Sequence, residues 1–144
     1  IGCAQLEKLD YIVESRRRNF KILREGLEGT EGLILPEPIK NSDPSWFGFL
    51  ISVKSDAGFT RNQLSEYLES KKIQTRNLFA GNLVKHPAFD EMRSTGKGFR
   101  IVGELKNTDF VMTNTFWIGV YPGMTEKMLQ YMISTIKEFV ASHK

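Results

Sequence analysis

Residues 73–87 read IQTRNLFAGNLVKHP, where a guanidinium, two carboxamides, an aromatic ring and a glycine follow one another closely. Arg76 can fork two donors onto a carboxylate or a diphosphate. Asn77 and Asn82 each carry a donor and an acceptor, which suits a sugar hydroxyl. Phe79 supplies a flat apolar face, and Gly81 lets the backbone come close to a ligand. Such a set fits one wall of a sugar–nucleotide pocket with no catalytic group of its own. A partly buried connection whose amides cap neighbouring backbone has the same composition. Spacing alone leaves both readings open.

Other chemistries find little support. His86 and His143 are far apart, one in a loop and one in the tail, which is not metal-ligand spacing. There is no G-x-S-x-G, no P-loop and no G-x-G-x-x-G; Gly96-Lys97-Gly98 is a loop doublet and Gly119 to Gly123 a turn. Cys3 is the only cysteine, so neither an internal disulfide nor an all-cysteine metal site can form, and a cytoplasmic setting is expected.

The 144 residues fit one domain able to bury roughly two-thirds of its unfolded surface. Hydrophobic residues make up 40% and charged residues 26%, an ordinary soluble composition, and the net charge of +3 is scattered. No apolar run approaches the roughly 20 residues of a membrane helix. Arg16-Arg17-Arg18 lies inside a helical segment, points around most of its cylinder, and reads as a solvated or partner-pairing surface. The strand candidates carry almost no basic residues, which disfavours nucleic acid as a partner.

The elements that must hold the polar stretch follow from periodicity. Leu6, Leu9, Val13, Phe20, Leu23 and Leu27 form one stripe of a long helix over residues 4–27. Helical periodicity from the first residues, with no leading methionine, reads as a chain cut from a longer one. Leu33-Ile34-Leu35 is a short strand, and Trp46 to Val53 the strongest strand, apolar at its start on both faces. Something must cover each side of it. Thr60 and Gln63 make a capping box for a helix with Leu64, Tyr67 and Leu68. A brief strand at 73–75 and a long loop, with a short helical turn near Phe89 to Met92, precede a strand over 115–121. Thr125 caps a last helix with Leu129, Met132, Ile133, Ile136, Phe139 and Val140 inward. The expected fold is α+β, a small, mostly antiparallel sheet with helices packed on one face.

Several stretches resemble one family. Gly2 to Leu9, GCAQLEKL, resembles a helix of the nucleotide-sugar aminotransferases and dehydratases of the pyridoxal-phosphate type. In that family this helix leads from the catalytic core into the small C-terminal domain of a fold-type I enzyme. Ser45 to Phe49, Ile73 to Pro87, Gly103 to Asp109 and NTFWIGVYPG at 114–123 resemble the branch of CDP-4-keto-6-deoxy-D-glucose 3-dehydratases in lipopolysaccharide O-antigen dideoxysugar synthesis. The resemblance covers essentially the whole chain. It implies one C-terminal domain over 1–144, with a linking helix at 1–28, a sheet-and-helix sandwich at 29–144, and a large N-terminal catalytic domain outside this sequence.

For the parent, the resemblance implies pyridoxamine phosphate (PMP, from pyridoxal phosphate, PLP), a [2Fe-2S] cluster, a CDP-sugar substrate, an electron-donating reductase and a homodimer. Such clusters normally take four thiolates, so Cys3 is expected to be an ordinary helix residue. The chain alone is expected to bind no cofactor and to be inert, with no catalytic and no metal-binding residue. Arg76 is expected at the acidic nucleotide part, Asn77 and Asn82 at sugar or phosphate oxygens, and Phe47 and Phe79 as cleft walls. Sugar aminotransferases commonly read W-H-x-F where this chain has Trp46-Phe47-Gly48-Phe49, so Phe47 stands in place of an imidazole able to carry a proton. The rival readings are the corresponding domain of a nucleotide-sugar aminotransferase and a free-standing small-molecule-binding module.

Overall fold

Strand β2, Gly48–Val53, sends Phe49, Ile51 and Val53 into the core, where each is almost fully buried. A computed structural model describes residues 1–143. Its remaining strands are β1 (Leu33–Ile34), β3 (Thr75–Asn77) and β4 (Thr115–Gly119). The sheet order is β1-β2-β4-β3, with every neighbouring pair antiparallel. Phe49 faces Ile118 and Ile51 faces Phe116 across the central pair. These four side chains share one face because side-chain direction alternates along a strand. Each contributes about 1.5–3 kcal/mol by leaving water.

Helices α2 (Leu9–Gly26), α3 (Arg61–Ser70) and α6 (Glu126–Ala141) cover that face. The other helices are α1 (Gly2–Leu6), α4 (Asp90–Thr95) and α5 (Lys106–Asn114). The cap at Thr60 is a full capping box with Gln63, and the Thr125 hydroxyl accepts from the Met128 N–H. All six residues expected inward on α6 are buried. Leu64 and Leu68 of α3 and Phe20, Leu23 and Leu27 of the α2 end join the same core. Gly26 lets α2 meet α6 closely: a Cβ there would lie 2.3 Å from Ile133 Cδ1. The predicted α+β sheet with helices on one face is the observed architecture. Among the described residues no helix is long and apolar enough to cross a membrane.

Four local expectations need correction. The first helix is two, broken at Glu7 and Lys8, where Lys8 N–H reaches only Gln5 O at 3.1 Å. Nothing in α1 is buried, and Leu6 and Leu9 stay exposed, so no packing holds the stripe straight there. Strand β2 starts at Gly48, not Trp46, because its partner β4 stops at Gly119 and leaves nothing opposite the two aromatics. Strand β3 begins at Thr75, not Ile73, since the Ile73 N–H turns back to Leu68 O at 2.9 Å and closes the α3 terminus. Strand β4 ends at Gly119, not 121, because its last register partner is Gly48. The helical turn expected near Phe89 to Met92 is present as α4, and the long loop adds two 3-10 turns (Leu83–Lys85, Pro87–Phe89) and α5; neither α4 nor α5 buries a residue.

Candidate functional site

The face of the sheet opposite the helices is open. Leu50 and Trp117 are register partners on it, both half-exposed, and Arg76 is the partner of Trp117 on the next strand. Phe47 lies just before β2, 68% exposed, with its ring 5.0 Å from that of Trp117. Gly48 makes room for this layer: a Cβ on it would lie 2.6 Å from Trp117 Cε3. The uncovered second face anticipated for the Trp46 strand is therefore present, and it is aromatic.

A cleft of about 580 Å³ opens along this face towards the start of α6. Phe47, Arg76, Trp117 and Tyr121 line it, and Lys71, Lys72 and Tyr131 close its far side. Its cations are Lys71, Lys72 and Arg76, and no carboxylate or imidazole lines it. The size is that of a small-molecule site. Tyr131 is tied down by its hydroxyl, which donates to Lys71 O at 3.1 Å. Among the described residues the Arg76 guanidinium makes no hydrogen bond or ion pair; its field helps Thr75 hold the Glu69 carboxyl below the usual carboxylate range. Thr75 dominates there, through its N–H and its hydroxyl. An unpaired cation beside flat rings can hold an anionic, ring-bearing ligand.

The other expected site residues lie elsewhere. Asn77 is exposed, and its Oδ1 accepts from Arg61, whose Nη2 also donates to Met112 O at 3.3 Å. Burial pulls the Arg61 guanidinium below its ordinary pKa. Asn82 is 2% exposed: its Nδ2 donates to Asp109 at 2.8 Å, and its Oδ1 accepts from the Val84 N–H at 3.1 Å. Lys85 pairs with the same carboxylate at 2.9 Å. The Asn82 bond above all, then Lys85, holds the Asp109 carboxyl below its usual range. Arg93 donates to Val84 O and, at 2.9 Å, to His86 O, and His86 meets Ala80 O. Phe79, 78% exposed, borders a separate hollow with Gly81, Asn107 and Val111.

Thus the structure brings Phe47 and Arg76 to one cleft and makes Asn82 a cap, while Phe79 faces a neighbouring hollow. Sequence reading missed Trp117, Lys71, Lys72, Tyr121 and Tyr131. For Trp117 the signal was available, since alternation from Phe116 and Ile118 turns it to the open side. For the two lysines it was not, because the α3 terminus meets the sheet only in three dimensions. Among the described residues no three His, Cys, Asp or Glu side chains are grouped to hold a metal ion.

One side of the sheet is covered by helices, and the other carries Arg76 with the rings of Phe47 and Trp117. The whole arrangement superposes on part of E. coli GDP-4-keto-6-deoxy-D-mannose-3-dehydratase, solved with bound hydrated PLP, at a TM-score of 0.80 and 24% identity over 94% of this chain and 33% of that one. The fold is thus that of a portion of the aminotransferase-fold enzymes. The chain belongs to the DegT/DnrJ/EryC1/StrS aminotransferase family, whose model matches residues 1–137. It is 50% identical over 141 residues to dTDP-4-dehydro-2,6-dideoxy-D-glucose 3-dehydratase of Saccharopolyspora spinosa, covering 98% of this chain and 29% of that protein. It is 49% identical over 139 residues to the lipopolysaccharide biosynthesis protein RfbH of Salmonella typhimurium, covering 96% of this chain and 31% of that one. The chain therefore spans about a third of the length of the curated relatives it matches.

Proposed function

We infer that this chain is the C-terminal domain of a PMP-dependent nucleotide-sugar 3-dehydratase acting in cytoplasmic dideoxysugar and O-antigen synthesis. The observation that carries the reading is the 50% identity to a sugar 3-dehydratase over nearly the whole chain. The aromatic face supports it, since a half-exposed wall whose Arg76 makes no hydrogen bond or ion pair among the described residues suits a cleft completed by another domain. A CDP-sugar is the proposed substrate. The relatives named above include a dTDP-sugar and a GDP-sugar 3-dehydratase, so the family takes more than one nucleotide.

In this reading Arg76 binds the diphosphate, while Phe47 and Trp117 exclude water beside the reacting sugar carbon. Asn77, Asn82 and Phe79 shape the neighbouring rim, with Asn82 acting through the loop it caps. The cationic, carboxylate-free lining fits a phosphorylated ligand, and Lys71, Lys72 and Arg76 are the groups that would hold its phosphate. Bound PMP would supply an amine to condense with the 4-keto group and an electron sink for loss of the C3 hydroxyl. An iron–sulfur cluster does not fit this chain, whose only cysteine is the exposed Cys3, and no step here passes through one. The cluster, its reductase and the homodimer belong to the proposed parent.

Phe47 decides between this reading and the second one, a sugar aminotransferase, which the family's own description favours. A phenyl ring at this position cannot return a proton to the substrate as an imidazole there could. Phe47→His in the parent enzyme is expected to raise aminotransfer at the expense of dehydration, measured by product analysis with a 4-keto sugar nucleotide. An unchanged product ratio would remove Phe47 from the mechanism. Absence of any dehydration by the unmodified parent would overturn the reading itself.

A further inference from the structure

The arginine triplet of α2 has an uneven role in the fold. Arg16 leaves the helix towards the loop before β2, where its Nη1 donates to Trp46 O at 2.8 Å and to Phe47 O at 3.2 Å. One turn further along the same helix, Phe20 stacks flat on the Trp46 indole, with ring centroids 3.8 Å apart and planes within 1°. Residues i and i+4 face one way on a helix, so the two contacts act together. Trp46 and Phe47 lie beyond the last register pair of β2 and β4, Gly48 with Gly119, so the sheet ladder does not hold them. Their carbonyls bond to the helix instead. Arg17, which bonds Asp43 at 2.8 Å, secures the preceding loop, and among the described residues Arg18 reaches only its neighbour Asn19.

The geometry points to Arg16 as the positioning residue for Phe47: with Phe20 it clamps the Trp46-Phe47 backbone so that the phenyl ring lies over Trp117 at the cleft. Trp46 is anchored inward and Phe47 turned outward by one fixed pair of carbonyls. A planar guanidinium can serve both carbonyls from one side chain, whereas an ammonium on a single flexible stem holds them less rigidly. Arg16 is not among the residues lining the cleft and acts through the ring. The consequence for reaction outcome rests on the dehydratase reading; the clamp itself does not.

The test uses the chain's two tryptophans. In a Trp46→Phe background Trp117 alone emits, and acrylamide quenching reports whether Phe47 covers it. Phe47→Ala is expected to raise the quenching constant, Arg16→Gln to raise it to the same level, Arg16→Lys to an intermediate one, and Lys21→Gln on the exposed helix side to leave it unchanged. If Arg16→Gln fails to fold, the intermediate value of Arg16→Lys carries the test. In the parent enzyme Arg16→Gln is expected to shift product partition as Phe47→Ala does, and the double variant to match Phe47→Ala alone. Effects that add independently, or quenching that rises in Phe47→Ala but not in either Arg16 variant, would overturn the assignment, as would no change in Phe47→Ala. A parent without dehydratase activity would sink the functional reading and leave the fluorescence result standing.

Discussion

The Trp117 ring lies across Gly48 on the neighbouring strand, so close that a Cβ would come within 2.6 Å of Cε3. A glycine inside a strand normally weakens it, through backbone entropy and a missing side chain. Here the bare backbone is the floor on which the aromatic layer rests.

Gly48→Ala should therefore destabilise despite its better strand propensity. The ring has the open face to move into, so overpacking of about 1–2 kcal/mol is expected, lowering the unfolding midpoint by roughly 2–8 °C. Calorimetry measures the cost. Trp117 fluorescence in a Trp46→Phe background should show the ring lifted into solvent. An unchanged spectrum with unchanged stability would mean that the indole does not rest there.

Asn82 and Asp109 predict an acid-sensitive loop. The Asp109 carboxyl is held below its ordinary pKa by Asn82 and then by Lys85, so its contribution is complete at neutral pH and persists down to the ordinary carboxylate range. It is lost as pH falls further and the folded-state carboxylate takes up its proton. Protection of the Asn82 and Val84 amides, the exchange rate taken relative to that of an unfolded chain at the same pH, should fall when the pH goes below that range. Asp109→Asn should be less protected at neutral pH and lose most of this pH dependence. Equal acid dependence in both proteins would show that another carboxylate, such as Glu69, governs the opening.

Arg76 offers the sharpest functional measurement. It has no hydrogen bond or ion pair to lose among the described residues, so Arg76→Ala should leave stability within about 0.5 kcal/mol. In the parent enzyme it should weaken binding of the nucleotide sugar by roughly tenfold to a hundredfold, the worth of one charge-assisted contact. Titration calorimetry separates the two effects. Affinity unchanged in a folded variant would remove Arg76 from the cleft.

The elements that lie within a single hydrophobic pattern could be read directly. Leu129 to Val140 repeat at helical spacing and all six face the core, and Thr60 with Gln63 announces the start of α3 four residues before its first buried leucine, Leu64. The α5 helix could not be read this way. It buries nothing, and the Asn82–Asp109 bond and the Arg61 contact to Met112 O fix it from outside.

The polar stretch at 73–87 shows the same division inside one segment. Composition alone made Asn77 and Asn82 as good a pair of ligand groups as Arg76, because a free carboxamide and a bonded one are written with the same letter. Asp109 lies 27 residues from Asn82 and Arg61 lies 16 from Asn77, and only folding brings these partners within bonding distance.

By itself the sequence determined the layers: a small, mostly antiparallel sheet, amphipathic helices on one face, and a strand rich in aromatics that would keep a second side in need of a partner. Burial enforces this locally, since each apolar side chain gains by leaving water wherever its element sits. The tertiary structure alone decided which polar groups remain available. A hydrogen bond needs both partners within about 3 Å, so Asn82 became a cap and Arg16 a clamp, and Arg76 was left facing the cleft.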